Sequence, residues 1–198
     1  MFFSADGVGM SLEQVVICHC GPVLTGIKVA NLISCSLKDF PDLENDIAAL
    51  KNRCASFGLE CRIICRYSDF FLVFVYNRCE LETVFKDTDV FEYMERLGYK
   101  MDGVESLIDQ LSLCLKIRKT FPHEIGVFLG YPLEDVEGFV ENCGKNFKIS
   151  GYWKVYGDME RAMAVFKQYD CCRKKCLMMA VKGFCIEDVI RSAELKFA

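Results

Sequence analysis

Two short blocks hold the residue types best suited to chemistry. The first is Cys18-His19-Cys20, directly followed by Gly21-Pro22. The second is His123-Glu124, in the stretch FPHEIGVFLGYPLEDVEGFVENCGKNFKISGYWKVYGD (residues 121–158). Between them the blocks hold both histidines of the chain, and the second stretch adds the single tryptophan, Trp153. A cysteine ahead of Gly-Pro reads as standing at a helix N-terminus, where free N–H groups and the helix dipole favour a thiolate. Cys20 would then be a nucleophile, a redox thiol or a soft-metal ligand. The alternative is a core cysteine beside a histidine that bonds to backbone.

His123-Glu124 is not a zinc-protease signature, because the second histidine at i+4 is missing. His123 reads either as a local residue of a first helical turn or as half of a pair. If the blocks meet in space, His19, Cys20, His123 and Glu124 form a mixed N/S/O set for a soft transition metal, or a Cys–His pair. Lys145, Lys148 and Lys154 flank a glycine-containing loop and offer a seat for an anion, or else an ordinary solvated face. Cys171, Cys172 and Cys176 resemble metal ligands, yet Cys172 and Cys176 extend the apolar stripe Ala162, Phe166, Tyr169 and read as core. Tyr131, Tyr152, Trp153 and Tyr156 suit either a ligand pocket or the core of a small sheet.

These residues must be positioned by regular elements. Ser11 is an N-cap for a helix to Cys18, and Gly21-Pro22 predicts an interruption, with a restart over residues 23–34. Leu43, Ile47, Leu50, Cys54 and Phe57 mark a helix over 41–57, stopped by Gly58. A hairpin follows: a half-exposed strand over 61–66, a turn at Ser68-Asp69, and the doubly apolar FFLVFVY over 70–76. Helices are expected over 79–85, 90–97 and from Val104 to Leu115. Short helices at 123–129 and 133–142 flank a Gly130-Tyr131-Pro132 turn. A third strand is expected over 152–156, and Asp158 caps a long helix. Residues 184–191 form the last helix. The expected fold is α+β, with helices packed around a small sheet containing a central β-hairpin.

Several function classes are disfavoured. Residues 124–140 mimic a helix-turn-helix, but the second helix carries Glu134, Asp135, Glu137 and Glu141 and no cation, which phosphate would repel. The net charge of −4 gives no general pull toward nucleic acid or anionic lipid. The longest apolar run, residues 70–76, is far too short to span a bilayer. Thirteen cysteines without a secretory leader point to reduced thiols in the cytoplasm. Residues 1–198 read as a single domain, with two lobes meeting near residue 120 as the finer expectation.

The block His19-Cys20-Gly21-Pro22-Val23-Leu24-Thr25-Gly26-Ile27-Lys28 resembles a motif of the form HCAPTLAGLK, departing from it most at Gly21, Val23 and Thr25. The block FPHEIGVFLGYPLEDVEGFVEN, followed by GYWKVYGD, resembles that family's second signature, HEIGxFLGYP. Both point to a bacterial family of proteins of unknown function, number 3793, found mostly in anaerobes. The resemblance spans the chain but implies no activity, ligand or catalytic residue to carry over. The residues themselves favour a small-ligand or soft-metal binding, regulatory domain centred on the two blocks. The alternatives are a thiol-dependent enzyme or redox protein using Cys20, and an interaction module with an acidic helix docking a basic protein.

Overall fold

The computed structural model describes residues 3–4, 9–118 and 120–194. Two compact units emerge: Glu80–Gln168 is one, and the flanking segments, through Cys79 and from Tyr169 onward, form the other. The fold is α+β, as the residue patterns require.

In the flanking unit the sheet order is β1(Phe3–Ser4), β2(Ala30–Ser36), β4(Phe70–Asn77), β3(Leu59–Arg66). β1 runs parallel to β2, while β2 and β3 both pair antiparallel with β4. The doubly apolar FFLVFVY strand is therefore central, and its residues Phe71–Tyr76 are all buried. β3 loses its alternation at a register shift between Ile63 and Cys65, so that Ile64 and Cys65 are both buried. α1(Leu12–Leu24) and α2(Leu43–Cys54) supply the apolar cover, and a 3-10 turn, Ala55–Phe57, closes α2 onto Gly58, whose φ of 69° is left-handed. α1 begins with a capping box: Ser11 Oγ accepts from the Gln14 N–H, and the Gln14 side chain accepts from the Ser11 N–H.

Two sequence expectations are corrected here. Gly21-Pro22 does not break the first helix, and residues 23–34 do not restart one. α1 runs unbroken to Leu24 with Pro22 inside it, and Ala30–Ser36 is a strand buried on both faces. Proline removes the N–H that would bond the Cys18 carbonyl; that carbonyl instead accepts from Arg173 Nε at 3.5 Å. Gly26, at φ 71°, then turns the chain out of the helix toward β2.

The unit Glu80–Gln168 is mainly helical. α3(Arg78–Lys86) leads into it, followed by α4(Thr88–Arg96), α5(Val104–Ile117), the single turn α6(Ile125–Phe128) and α7(Leu133–Glu141). Leu107, Ile108, Leu111 and Phe128 are fully buried, and Phe85 meets Phe128 edge-on at 4.9 Å. The strand expected over 152–156 shrinks to β6(Lys154–Val155), paired only with β5(Ile149–Ser150) and outside the main sheet. Aromatic bulk here fills space beside helix rather than extending strand: Trp153 packs edge-on against Phe166 at 4.6 Å. α8(Met159–Val181) starts at Asp158, whose carboxylate accepts from the Arg161 N–H, and α9(Ile186–Glu194) ends the described chain. Among the described residues no helix is long and apolar enough to cross a membrane.

Candidate functional site

The first block lies in the interior of α1, not at a helix N-terminus. Cys20 is fully buried, and burial pushes its thiol up to about 12. The helix-dipole argument for a thiolate therefore has no geometric basis at this cysteine. Burial, with the nearby Arg173 charge, pushes the His19 imidazole down from its ordinary value, which favours the neutral ring.

What the block does assemble is a buried polar strut. Lys28, only 6% exposed, donates from Nζ to Asn31 Oδ1 at 2.8 Å. Asn31 in turn donates from Nδ2 to the His19 carbonyl at 2.8 Å and faces Cys20 Sγ at 3.9 Å. The Lys28 ammonium also lies 5.9 Å from the centre of the Tyr169 ring. Burial pulls the Lys28 amine down to about 8. Neither Lys28 nor Asn31 stands out in the sequence as a site residue. The available signal was Lys28 closing the same ten-residue block as His19 and Cys20, at a spacing that returns it to the helix that carries them.

Two of the three cysteines of α8 serve packing. Cys176 is buried, Cys172 is half-buried with its sulfur 3.8 Å from that of Cys176, and Cys171 is exposed. Cys172 Sγ also lies 3.1 Å from Thr25 Oγ1. Cys176 lies in the same core cluster as residues of α1, and Cys172 packs against that cluster.

His123 and Glu124 belong to the other unit, Glu80–Gln168. His123 is exposed and tilts against Phe139 at 4.9 Å. Glu124 is buried and accepts from Tyr99 Oη at 3.1 Å and from Arg118 Nη1 at 2.6 Å. Burial first, then the Glu124 charge, push the Tyr99 phenol up, so it remains a donor. Lys148 donates to the Gly157 carbonyl at 2.5 Å. Lys154 donates to the Gly144 carbonyl at 2.6 Å and lies over the Phe139 and Phe147 rings. Lys145 is exposed. Two of the three candidate anion ligands thus serve the loop itself. Among the described residues, no group of three or more His, Cys, Asp or Glu is placed to hold a metal ion.

A concave feature of the flanking unit lies where α1 begins and α2 passes. A cavity of about 430 Å³ opens between Ser11–Glu13, the Asp39–Asp42 turn and the Asp46–Arg53 face of α2. Leu12, Phe40 and Leu50 are buried beneath it, while Asp39, Asp42 and Asp46 are exposed at its edge. Arg53 reaches the wall already occupied. Its guanidinium donates to both oxygens of Glu13, at 3.0 and 2.8 Å, and to both oxygens of Glu187, at 2.6 and 2.5 Å. The hydrogen bonds from Arg53 hold both carboxyls below their ordinary values, Glu187 at about 2.

A family described as "Protein of unknown function (DUF3793)" matches residues 16–190. No curated protein and no solved structure matches the chain.

Proposed function

The chain belongs to that family, and on that premise we propose that it is a small-ligand-binding domain whose ligand is a small organic cation. The observation that carries this reading is the cavity of about 430 Å³ at the start of α1. Its size falls within the range of small-molecule sites, roughly 300–1,000 Å³, and its floor is apolar. Four carboxylates, Glu13, Asp39, Asp42 and Asp46, stand around it against one guanidinium, Arg53. Glu13 and Glu187 already engage that guanidinium, so the exposed charge at the rim is negative. An ammonium on a short apolar stem matches both features.

The first block supports the site from below. α1 carries His19 and Cys20 in its interior and Leu12 and Glu13 at its cavity end, so the buried Lys28–Asn31 strut fixes the helix that forms one wall. A binding role suits these residues better than thiol chemistry. Cys20 has no solvent path, and its burial favours the protonated thiol.

Titration calorimetry of the full chain with 1,4-diaminobutane, with succinate as the anionic control, tests the reading. Saturable binding of the diamine alone is expected, weakened about tenfold in Asp42→Asn/Asp46→Asn, the loss of roughly one charge contact. No saturable diamine binding at millimolar concentration, or equal binding of succinate, would remove the proposal.

A further inference from the structure

The far end of α8 presents a surface that none of these roles uses. Leu177, Met178 and Val181 are 47%, 57% and 78% exposed on the helix, and Phe184 is 45% exposed just beyond it. At 100° per residue, Leu177, Val181, Lys174, Met178, Lys182 and Lys175 share one half of the helix, while Cys172, Cys176 and Ala180 face the core. The apolar groups crown a helix end that is sharply stopped. The Gly183 N–H bonds the Ala180 carbonyl, the Phe184 N–H bonds the Met179 carbonyl, and Gly183 has φ 80°. This hydrogen-bond pattern fixes Phe184 at the tip of the turn.

Along the chain, the charge from residue 171 to residue 186 is of one sign. Residues 171–186 contain Arg173, Lys174, Lys175 and Lys182 and no Asp or Glu. The next carboxylates are engaged: Glu187 with Arg53, and Asp188 as acceptor from the Cys185 N–H. The chain's net charge of −4 conceals this local separation. We propose that the C-terminal end of α8, with the Lys182–Phe184 turn, docks peripherally on an anionic lipid bilayer. Leu177, Met178, Val181 and Phe184 would enter the headgroup boundary, and Lys174, Lys175 and Lys182 would meet lipid phosphates and carboxylates. The tip is a helix end and a tight turn whose residues 181–184 are all exposed. A bilayer receives exposed apolar side chains beside cations without a matching cleft, whereas an acidic protein would need one. The alternation of cations with exposed apolar side chains is the composition that binds an interface without crossing it.

Flotation of the full chain with vesicles tests the proposal. Neutral phosphatidylcholine vesicles are compared with vesicles carrying about 30 mol% phosphatidylglycerol. Retention on the anionic vesicles alone is expected, falling about tenfold between 0.1 and 0.5 M NaCl as the charges are screened. Met178→Glu/Val181→Glu should abolish it, and Lys174→Glu/Lys175→Glu should lower it about tenfold. All four positions are exposed, so unchanged circular dichroism and melting should accompany the loss. Absence of retention, or equal retention on neutral vesicles, overturns the proposal. So does a concentration-dependent dimer in light scattering that Val181→Glu dissolves while vesicles retain nothing. That result would assign the face to a second copy of the chain.

Discussion

Gly21 lies so close against Cys176 that a β-carbon at position 21 would stand 2.6 Å from the Cys176 sulfur and 2.9 Å from its Cβ. Rotating the thiol relieves the first approach but not the second, so the second half of α8 must shift off α1. Gly21→Ala gains up to ~1 kcal/mol in helix propensity. Overpacking costs about 1–3 kcal/mol, and in a core this closed the packing loss prevails. A net destabilisation of about 1–2 kcal/mol by urea denaturation is expected. Cys176→Gly should reverse most of the added penalty in a double-mutant cycle. Additive effects of the two changes would mean that the contact carries no energy.

Lys28 should give the chain an unusual alkaline response. Its amine titrates at about 8 when folded, against 10.5 in the unfolded reference. Between those values the unfolded chain binds more protons, so this residue's contribution rises with pH through the window. The cost of burying the ammonium, on the order of 3 kcal/mol, is fully present below pH 8 and is relieved by pH 10.5. Cys20 and Cys35 oppose it. Burial pushes both thiols up to about 12 from 9.0, and the stability they provide below pH 9 is lost as the pH climbs toward 12. The clear window is therefore pH 7–9. There, wild type should gain about 1.3 kcal/mol relative to Lys28→Met, measured by urea denaturation under reducing conditions. A pH-independent difference would mean that the folded and unfolded amines titrate alike.

Arg53 fastens three elements at once, joining Glu13 in the first turn of α1 to Glu187 in the first turn of α9 from the last turn of α2. Both carboxyls are depressed in the folded state, so their contribution is present above pH 4.5 and is lost as the pH falls toward about 2. The Arg53 side chain is 37% exposed, and solvent screening reduces the pair energies accordingly. Arg53→Ala is expected to cost about 1–2 kcal/mol at pH 7. At pH 2.5 the difference should shrink by more than half, and 0.5 M NaCl at pH 7 should reduce it as well. A loss that persists undiminished in acid would point to packing of the arginine stem rather than to charge.

Local rules were enough where the partners are close in sequence. The Ser11 cap, the helix ending at Gly58 and the hairpin turning at Ser68-Asp69 all rest on interactions a few residues apart. Sequence reasoning failed at Pro22 because the Cys18 carbonyl, which the proline leaves free, finds its donor at Arg173, 155 positions away. With the helix unbroken, Cys20 moves from an imagined helix start to the core, and its chemistry changes with it. Lys28 is passed over, and Asp135 is read as part of an acidic helix face, for a related reason. Charged residues are read as surface until a specific partner is seen, and their partners lie on other elements. The cavity beside α1 has no motif at all, since its wall joins a helix start, a turn and a helix face that come together only on folding.

Asp135 carries the sharpest consequence for the unit Glu80–Gln168. It lies on the helix read as an acidic face, yet it is 3% exposed. Its Oδ2 accepts from Trp153 Nε1 at 2.7 Å, and its Oδ1 accepts from the Tyr156 and Gly157 N–H groups at 2.6 and 2.8 Å. One carboxylate thus holds the segment after β5 against α7, and it explains why the only tryptophan sits where it does. Close packing leaves no slack for a substitute: a β-carbon on Gly138 would meet the Tyr156 ring at 2.6 Å. Asp135→Ala strips three donors of their acceptor, and each orphaned group costs about 1–3 kcal/mol, offset in part where water enters. A loss of at least about 3 kcal/mol is expected, with red-shifted Trp153 emission as the indole loses its partner. Asp135→Asn keeps one acceptor oxygen and places an amide where a donor already points, so it should lie between wild type and Ala. If Asp135→Asn matched wild type in both stability and emission, the three hydrogen bonds would not be what fixes this loop.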